Sequence, residues 1–181
     1  MYGRAIAAAA LFAAGTMPAA AAAQEADMPP ITAAQPDLIA QLLEATGDLV
    51  ERRTDTYGDP QIVSTFGGYQ GTVDFYDCDE QTHLGCTSLQ FSVGLDRAVP
   101  WDMAAANEAA RTMRFVSLHL DEEGDPWIQW DVVTGKDGIP APVFLEAYNR
   151  FSDVVVEIAD LVFAEEREID GILDDSYSEQ I

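Results

Sequence analysis

Two stretches of alternating apolar and polar residues flank the chain's two cysteines, and together they constrain the fold more than any other feature. In residues 72–78, Val73 and Phe75 alternate with Thr72, Asp74 and Tyr76. In residues 86–95, Leu89, Phe91, Val93 and Leu95 alternate with Ser88, Gln90 and Ser92. A period of two marks a strand with one buried and one solvated face, so an antiparallel sheet covered on one side is predicted. If Cys78 and Cys86 lie directly opposite each other, partner numbers sum to 164, which sets Phe75 across from Leu89 and Val73 across from Phe91. A slip of one residue would turn one strand's apolar set into water, so the thiols and the hydrophobic pattern agree on a single register. The same parity puts both cysteines on the solvated face.

The N-terminus bears on the state of those thiols. Arg4, the apolar stretch 5–14 with Ile6, Leu11 and Phe12, then Gly15, Pro18 and the alanines before Gln24 have the order of a secretory signal peptide over residues 1–23. The apolar stretch is short for a membrane span and Pro18 interrupts the alanine run after it, so cleavage before Gln24 is expected, with no stable membrane anchor afterwards and a periplasmic or secreted location. In an oxidising compartment a pair of cysteines predicts a disulfide. The rival is a zinc site of Cys78, His83 and Cys86, with Asp77, Asp79 and Glu80 as oxygen donors. Its C-x4-H-x2-C spacing fits no common structural site, and no metal or other cofactor is expected.

Residues 24–36, rich in Ala, Pro and Gln, read as a flexible lead-in to one domain over 37–166, and 167–181 as an acidic tail expected to fray. Leu38, Ile39, Leu42 and Leu43 predict a helix between Pro36 and Gly47. Strand-like runs at 49–53 and 61–66, and again at 114–120 and 127–133, are separated by turn formers and predict two hairpins. Met103, Ala106, Ala110 and Met113 predict a second helix. A third opens at Pro140, where Phe144, Tyr148, Phe151, Val155, Ile158 and Val162 repeat at intervals of four and three, the stripe of a helix packed on the sheet. Its other edge, Leu145, Val154 and Leu161, would favour a homodimer if exposed. The fold class is therefore α+β, an antiparallel sheet flanked by helices in the order α-β-β-β-β-α-β-β-α.

Nine Lys and Arg against 32 Asp and Glu give a formal net charge of −23, which argues against nucleic acid as a partner. No phosphate-binding glycine loop, nucleophile elbow or metalloprotease helix occurs. Of the two histidines, His119 falls on the solvated parity of its strand, across from Trp127. Glu122 and Asp125 sit in a turn, where nothing shifts a carboxyl toward acid–base work, and the 121–125 tip lacks the spaced ligands of a calcium loop. No catalytic residue is assigned. The rival to a binding module is a small exported enzyme with scattered carboxylates lined by Trp101, Trp127 and Trp130; the same three tryptophans are the candidate partner-binding surface.

The order of Cys78, Cys86, Leu89-Gln90-Phe91, Arg114-Phe115 and Leu120-Asp121-Glu122-Glu123-Gly124-Asp125-Pro126 resembles the YbjN family of bacterial proteins, labelled sensory transduction regulators, over about 37–163. Relatives often carry Trp and Asn where this chain has Ala109 and Ala110. The resemblance implies a fold similar to type III secretion chaperones, which commonly dimerise and offer apolar grooves to peptides. It also implies a chaperone-like or regulatory module that holds a segment of a protein partner, without catalysis.

Overall fold

The computed structural model describes residues 28–164. Helix α1 (Pro36–Thr46) is followed by strands β1 (Glu51–Thr54), β2 (Pro60–Phe66), β3 (Tyr69–Tyr76) and β4 (Ser88–Gly94). Helix α2 (Met103–Thr112), strands β5 (Ser117–Leu120) and β6 (Pro126–Val133), and helix α3 (Ala141–Val162) complete the chain. The six strands form one antiparallel sheet in the order β1-β2-β3-β4-β6-β5. The element order is the expected α-β-β-β-β-α-β-β-α.

The β3–β4 register is the one that the alternation requires: Phe75 pairs with Leu89, Val73 with Phe91, and Asp74 with Gln90. The covered face holds the core. Phe66 from β2 and Phe91 from β4 meet Phe144, Tyr148 and Phe151 from α3, with ring centroids 5.0–6.0 Å apart. All six residues of the α3 stripe are buried, and α1 adds Ile39, Ala40 and Leu43. Helix α1 begins on Pro36, which needs no amide partner, and stops at Gly47, whose φ of 94° closes the last carbonyls. On α2, Ala106 and Ala109 are the buried positions, whereas Met103 is exposed.

Both predicted hairpins share one turn, D-x-x-G-D-P, at Asp55–Pro60 and at Asp121–Pro126. In each, the first Asp accepts two backbone amides on Oδ1: Tyr57 and Asp59 at 2.8 and 2.9 Å, and Glu123 and Asp125 at 3.0 and 2.9 Å. The glycine takes a positive φ, 100° at Gly58 and 85° at Gly124. The second Asp reaches a neighbouring loop: Asp59 Oδ1 lies 2.8 Å from His83 Nδ1, and Asp125 Oδ1 accepts the Arg97 amide at 3.0 Å. The acidic tips are thus structural clasps.

Two expectations are corrected. Cys78 and Cys86 are joined by a disulfide, but not on the solvated face. Cys86 is buried in the core and Cys78 packs against it. The strands stop at Tyr76 and Ser88, short of both cysteines, and each cysteine follows a left-handed residue, Asp77 at φ 55° before Cys78 and Gly85 at φ 69° before Cys86, so strand parity does not carry to either. The lead-in is also shorter than expected. Ile31 and Ala33 are fully buried, Ile31 exchanges both backbone hydrogen bonds with Ile139, and the Ala33 amide donates to Thr134 Oγ1 at 2.9 Å. Composition alone hid two apolar residues that the 134–139 turn captures. The signal-peptide reading of 1–23 and the tail from 167 onward lie outside the described residues.

Candidate functional site: a trough between α2 and α3

Beyond the core that α1 and α3 cover, the sheet continues into β6 and the edge strand β5. There Trp130, on the same sheet face as Phe91, is only partly covered. Alongside it α3 presents Val143, Ala147, Arg150 and Val154, and the α2–β5 connection presents Met113, Arg114 and Phe115, enclosing a groove of about 580 Å³. A second hollow of about 380 Å³ lies between Trp101, Ala105 and Ala109 on one side and Leu161 and Val162 on the other. The two meet at Thr112, which lines both. Helices α2 and α3 are therefore separated by a trough whose α2 wall is mostly methyl groups.

Phe115 is the unusual residue of this trough. Its φ is 71°, and its side chain is 67% exposed. A bulky residue in the left-handed region is strained by about 1–3 kcal/mol, and an exposed ring recovers little of that through burial. The ring lies flat on Trp130, centroids 5.3 Å apart at 15°, with the Arg114 guanidinium 4.9 Å over it. The result is a three-layer stack of guanidinium, phenyl and indole at the mouth of an apolar groove. Arg150 is held by Glu146 at 3.0 Å, whereas Arg114 makes no ion pair among the described residues.

The three tryptophans do not share a surface. Trp130 and Trp101 stand at the two ends of the trough, but Trp127 lies on the opposite face of the sheet, its Nε1 donating to Asp121 Oδ2 at 3.0 Å. Adjacent positions on β6 point to opposite faces, so Trp127 and Trp130, three apart, are separated by the sheet itself. Sequence reasoning missed the role of Phe115, although the Arg114-Phe115 pair was visible; only the backbone angle shows that the ring is turned outward. His119 is exposed and pairs across from Trp127 as expected.

The other solvated face is a polar ladder. Gln61 donates to Asp74 at 2.7 Å, Thr72 to Asp74 at 2.6 Å and Gln90 to Asp131 at 2.8 Å. These groups satisfy each other across strands. Burial first, then the negative charges of Asp74, Asp131 and Asp55, push the Tyr76 phenol up. Asp121 is held below the usual carboxylate range by the Asp125 amide and then the Trp127 indole. Among the described residues no group of His, Cys, Asp and Glu is arranged to hold a metal ion: His83 turns to Asp59 rather than to the cysteines. Nor is any described helix long and apolar enough to cross a membrane.

No curated protein and no solved structure matches the chain. The profile of one family, YbjN, described as "Putative bacterial sensory transduction regulator", matches residues 35–163. With more than two thirds of its length inside that match, from the first helix to the end of the last, the chain belongs to the YbjN family.

Proposed function

We propose that this protein is an exported, non-catalytic regulatory module that holds an apolar segment of another protein in the trough between α2 and α3. The observation that carries the reading is Phe115, an exposed aromatic held in a strained backbone conformation over an apolar groove. Strain of that kind persists where the surroundings impose it and clusters at ligand clamps. Trp130, Met113 and Val154 supply apolar contact, and the stacked Arg114 supplies a guanidinium for a carboxylate on the segment. Membership in a family described as regulatory supports a binding role over a catalytic one. Export rests on the arrangement of residues 1–23.

A photo-crosslinking amino acid placed at Val143, on the groove wall, tests the binding reading in the producing cells, with the same group at Gln90 on the opposite sheet face as control. Apolar segments of one or a few proteins should be trapped from Val143 and not from Gln90. Phe115→Asn should abolish trapping while leaving unfolding stability within about 0.5 kcal/mol, because asparagine accepts a left-handed φ. Equal trapping from both positions, or trapping unaffected by Phe115→Asn, refutes the reading. Mass spectrometry of the exported chain should give Gln24 as its first residue; an intact Met1 in a membrane fraction refutes cleavage.

A further inference from the structure

The polar face of the sheet, opposite the trough, holds a hollow of about 600 Å³. One row of cross-strand partners crosses this face: Arg53 on β1, Gln61 on β2, Asp74 on β3, Gln90 on β4 and Asp131 on β6. With neighbouring strands about 4.8 Å apart, the row spans about 19 Å. Gln61 gives one amide hydrogen to Asp74, and Gln90 gives one to Asp131, which pins both amide planes. A carboxamide has a second hydrogen and an oxygen with lone pairs, so among the described residues each glutamine keeps a donor and an acceptor in a fixed orientation. Exposed aromatic residues border the row. Tyr76 is two residues from Asp74 on the same face of β3, and Tyr57 lines the hollow from the β1–β2 turn. Trp127 lines it from β6, where its partner Gly94 has no side chain; a Cβ there would lie 3.0 Å from two indole atoms. The indole therefore rests on bare backbone and forms a platform anchored by Asp121.

From this row and its aromatic border we propose that the polar sheet face binds an uncharged oligosaccharide chain, at a site separate from the trough and independent of the reading given for it. Charge complementarity selects the ligand. The carboxylates of Asp55, Asp74 and Asp96 line the hollow, and the arginine that lines it, Arg53, is engaged by Glu51 at 2.8 Å, so an anionic ligand is repelled. A cationic ligand would use the carboxylates alone, because an ammonium group accepts nothing from the amide hydrogens of Gln61 and Gln90. A sugar hydroxyl both donates and accepts, which matches carboxamide and carboxylate alternating along one row. A pyranose ring also has an apolar face of C–H groups, which stacks on an indole or phenol ring. Because these groups recur along the whole row, a chain of several sugar rings engages more of them than a single sugar does.

Isothermal titration calorimetry of the full exported chain tests this with three uncharged hexasaccharides: cellohexaose, maltohexaose and N-acetylchitohexaose. At least one should give a saturable heat, while spermidine and an oligomer of galacturonate should give none. Trp127→Ala should weaken sugar binding about tenfold, whereas Trp127→Phe, which keeps an aromatic face, should stay within about threefold of the parent. Gln90→Ala should weaken it about fivefold. That substitution is at the protein surface, so it decides the matter even if Trp127→Ala does not fold. Phe115→Asn, in the trough, should leave sugar binding unchanged. The proposal is overturned by the absence of saturable heat from all three hexasaccharides, or by binding of spermidine or galacturonate in their place. Sugar binding that Gln90→Ala leaves untouched, or that Phe115→Asn removes, overturns it equally. None of these results bears on trapping from Val143, so the two readings stand or fall separately.

Discussion

Tyr148 offers a clean perturbation of the join between α3 and the loop after α1. Its ring belongs to the buried stripe and packs against Phe66 and Phe91, while its hydroxyl donates to Asp48 Oδ2 and lies 2.9 Å from the Thr65 carbonyl oxygen. Tyr148→Phe keeps the ring and deletes the hydroxyl alone. Burial raises the Asp48 carboxyl, but hydrogen bonds from Thr46, Tyr148 and Thr65 outweigh it, and the net effect is a lowered pKa. A hydrogen bond to a charged group contributes about 1.5–3 kcal/mol; because Asp48 is only half-buried and water can replace the donor, about 1–2 kcal/mol is expected at pH 7. For a domain of this size that is about 3–7 °C in Tm. A carboxyl whose folded pKa is lowered stabilises above its unfolded value of 3.8, and the contribution is lost as pH falls through the folded pKa. The Tyr148→Phe penalty should therefore shrink when urea unfolding is repeated at about pH 2.5. A penalty below about 0.3 kcal/mol at pH 7, or one of equal size at both pH values, refutes the assigned partnership.

Three further perturbations probe the same geometry. Replacing both cysteines with alanine removes a nine-residue covalent loop and should cost about 2.5 kcal/mol in urea unfolding, with no free thiols detectable in the denatured, unreduced parent chain; two thiols per parent chain would contradict the bond. Gly71→Ala should destabilise by at least about 2 kcal/mol, because a Cβ there would collide with the Ser92 carbonyl oxygen and sit 2.6 Å from Val93 Cγ2, leaving no flexible atom to yield. Asp59→Ala should raise hydrogen exchange in the disulfide loop as well as in its own turn, since it removes the contact to His83; protection unchanged in residues 79–85 would show that the loop stands alone.

The parts of the fold that the sequence made legible are those governed by short periods. Val73, Phe75, Leu89 and Phe91 needed only the pleat to set their partners, and Phe144 to Val162 needed only the helical repeat to show their buried face. What was hidden depends on single backbone angles or on distant captures. The outward turn of Phe115 comes from one φ of 71°, Cys78 and Cys86 each follow a left-handed residue, Asp77 at φ 55° and Gly85 at φ 69°, and the burial of Ile31 depends on Ile139, more than a hundred residues away. No periodicity spans such events. The candidate site is correspondingly half legible: Trp101 and Trp130 border the trough, while Trp127, three positions from Trp130 on one strand, belongs by strand parity to the opposite face, a separation that grouping by aromatic content overlooks.

The two D-x-x-G-D-P turns tie that site to the rest of the molecule. The first clasps the disulfide loop through Asp59 and His83, at the end of the sheet built on β1 to β4. The second, through Asp125, holds the Arg97 amide at the start of the loop that leads into α2, while the Trp101 amide donates to the Gly124 carbonyl at 3.0 Å. One wall of the trough, α2, thus hangs from a turn whose own aspartate is engaged by backbone amides and by Trp127 from the opposite sheet face. The other wall, α3, is fixed by the aromatic core. The α2 wall, buried through only two alanines and fastened at a turn, is the softer of the two, and its amides should exchange faster than those of α3.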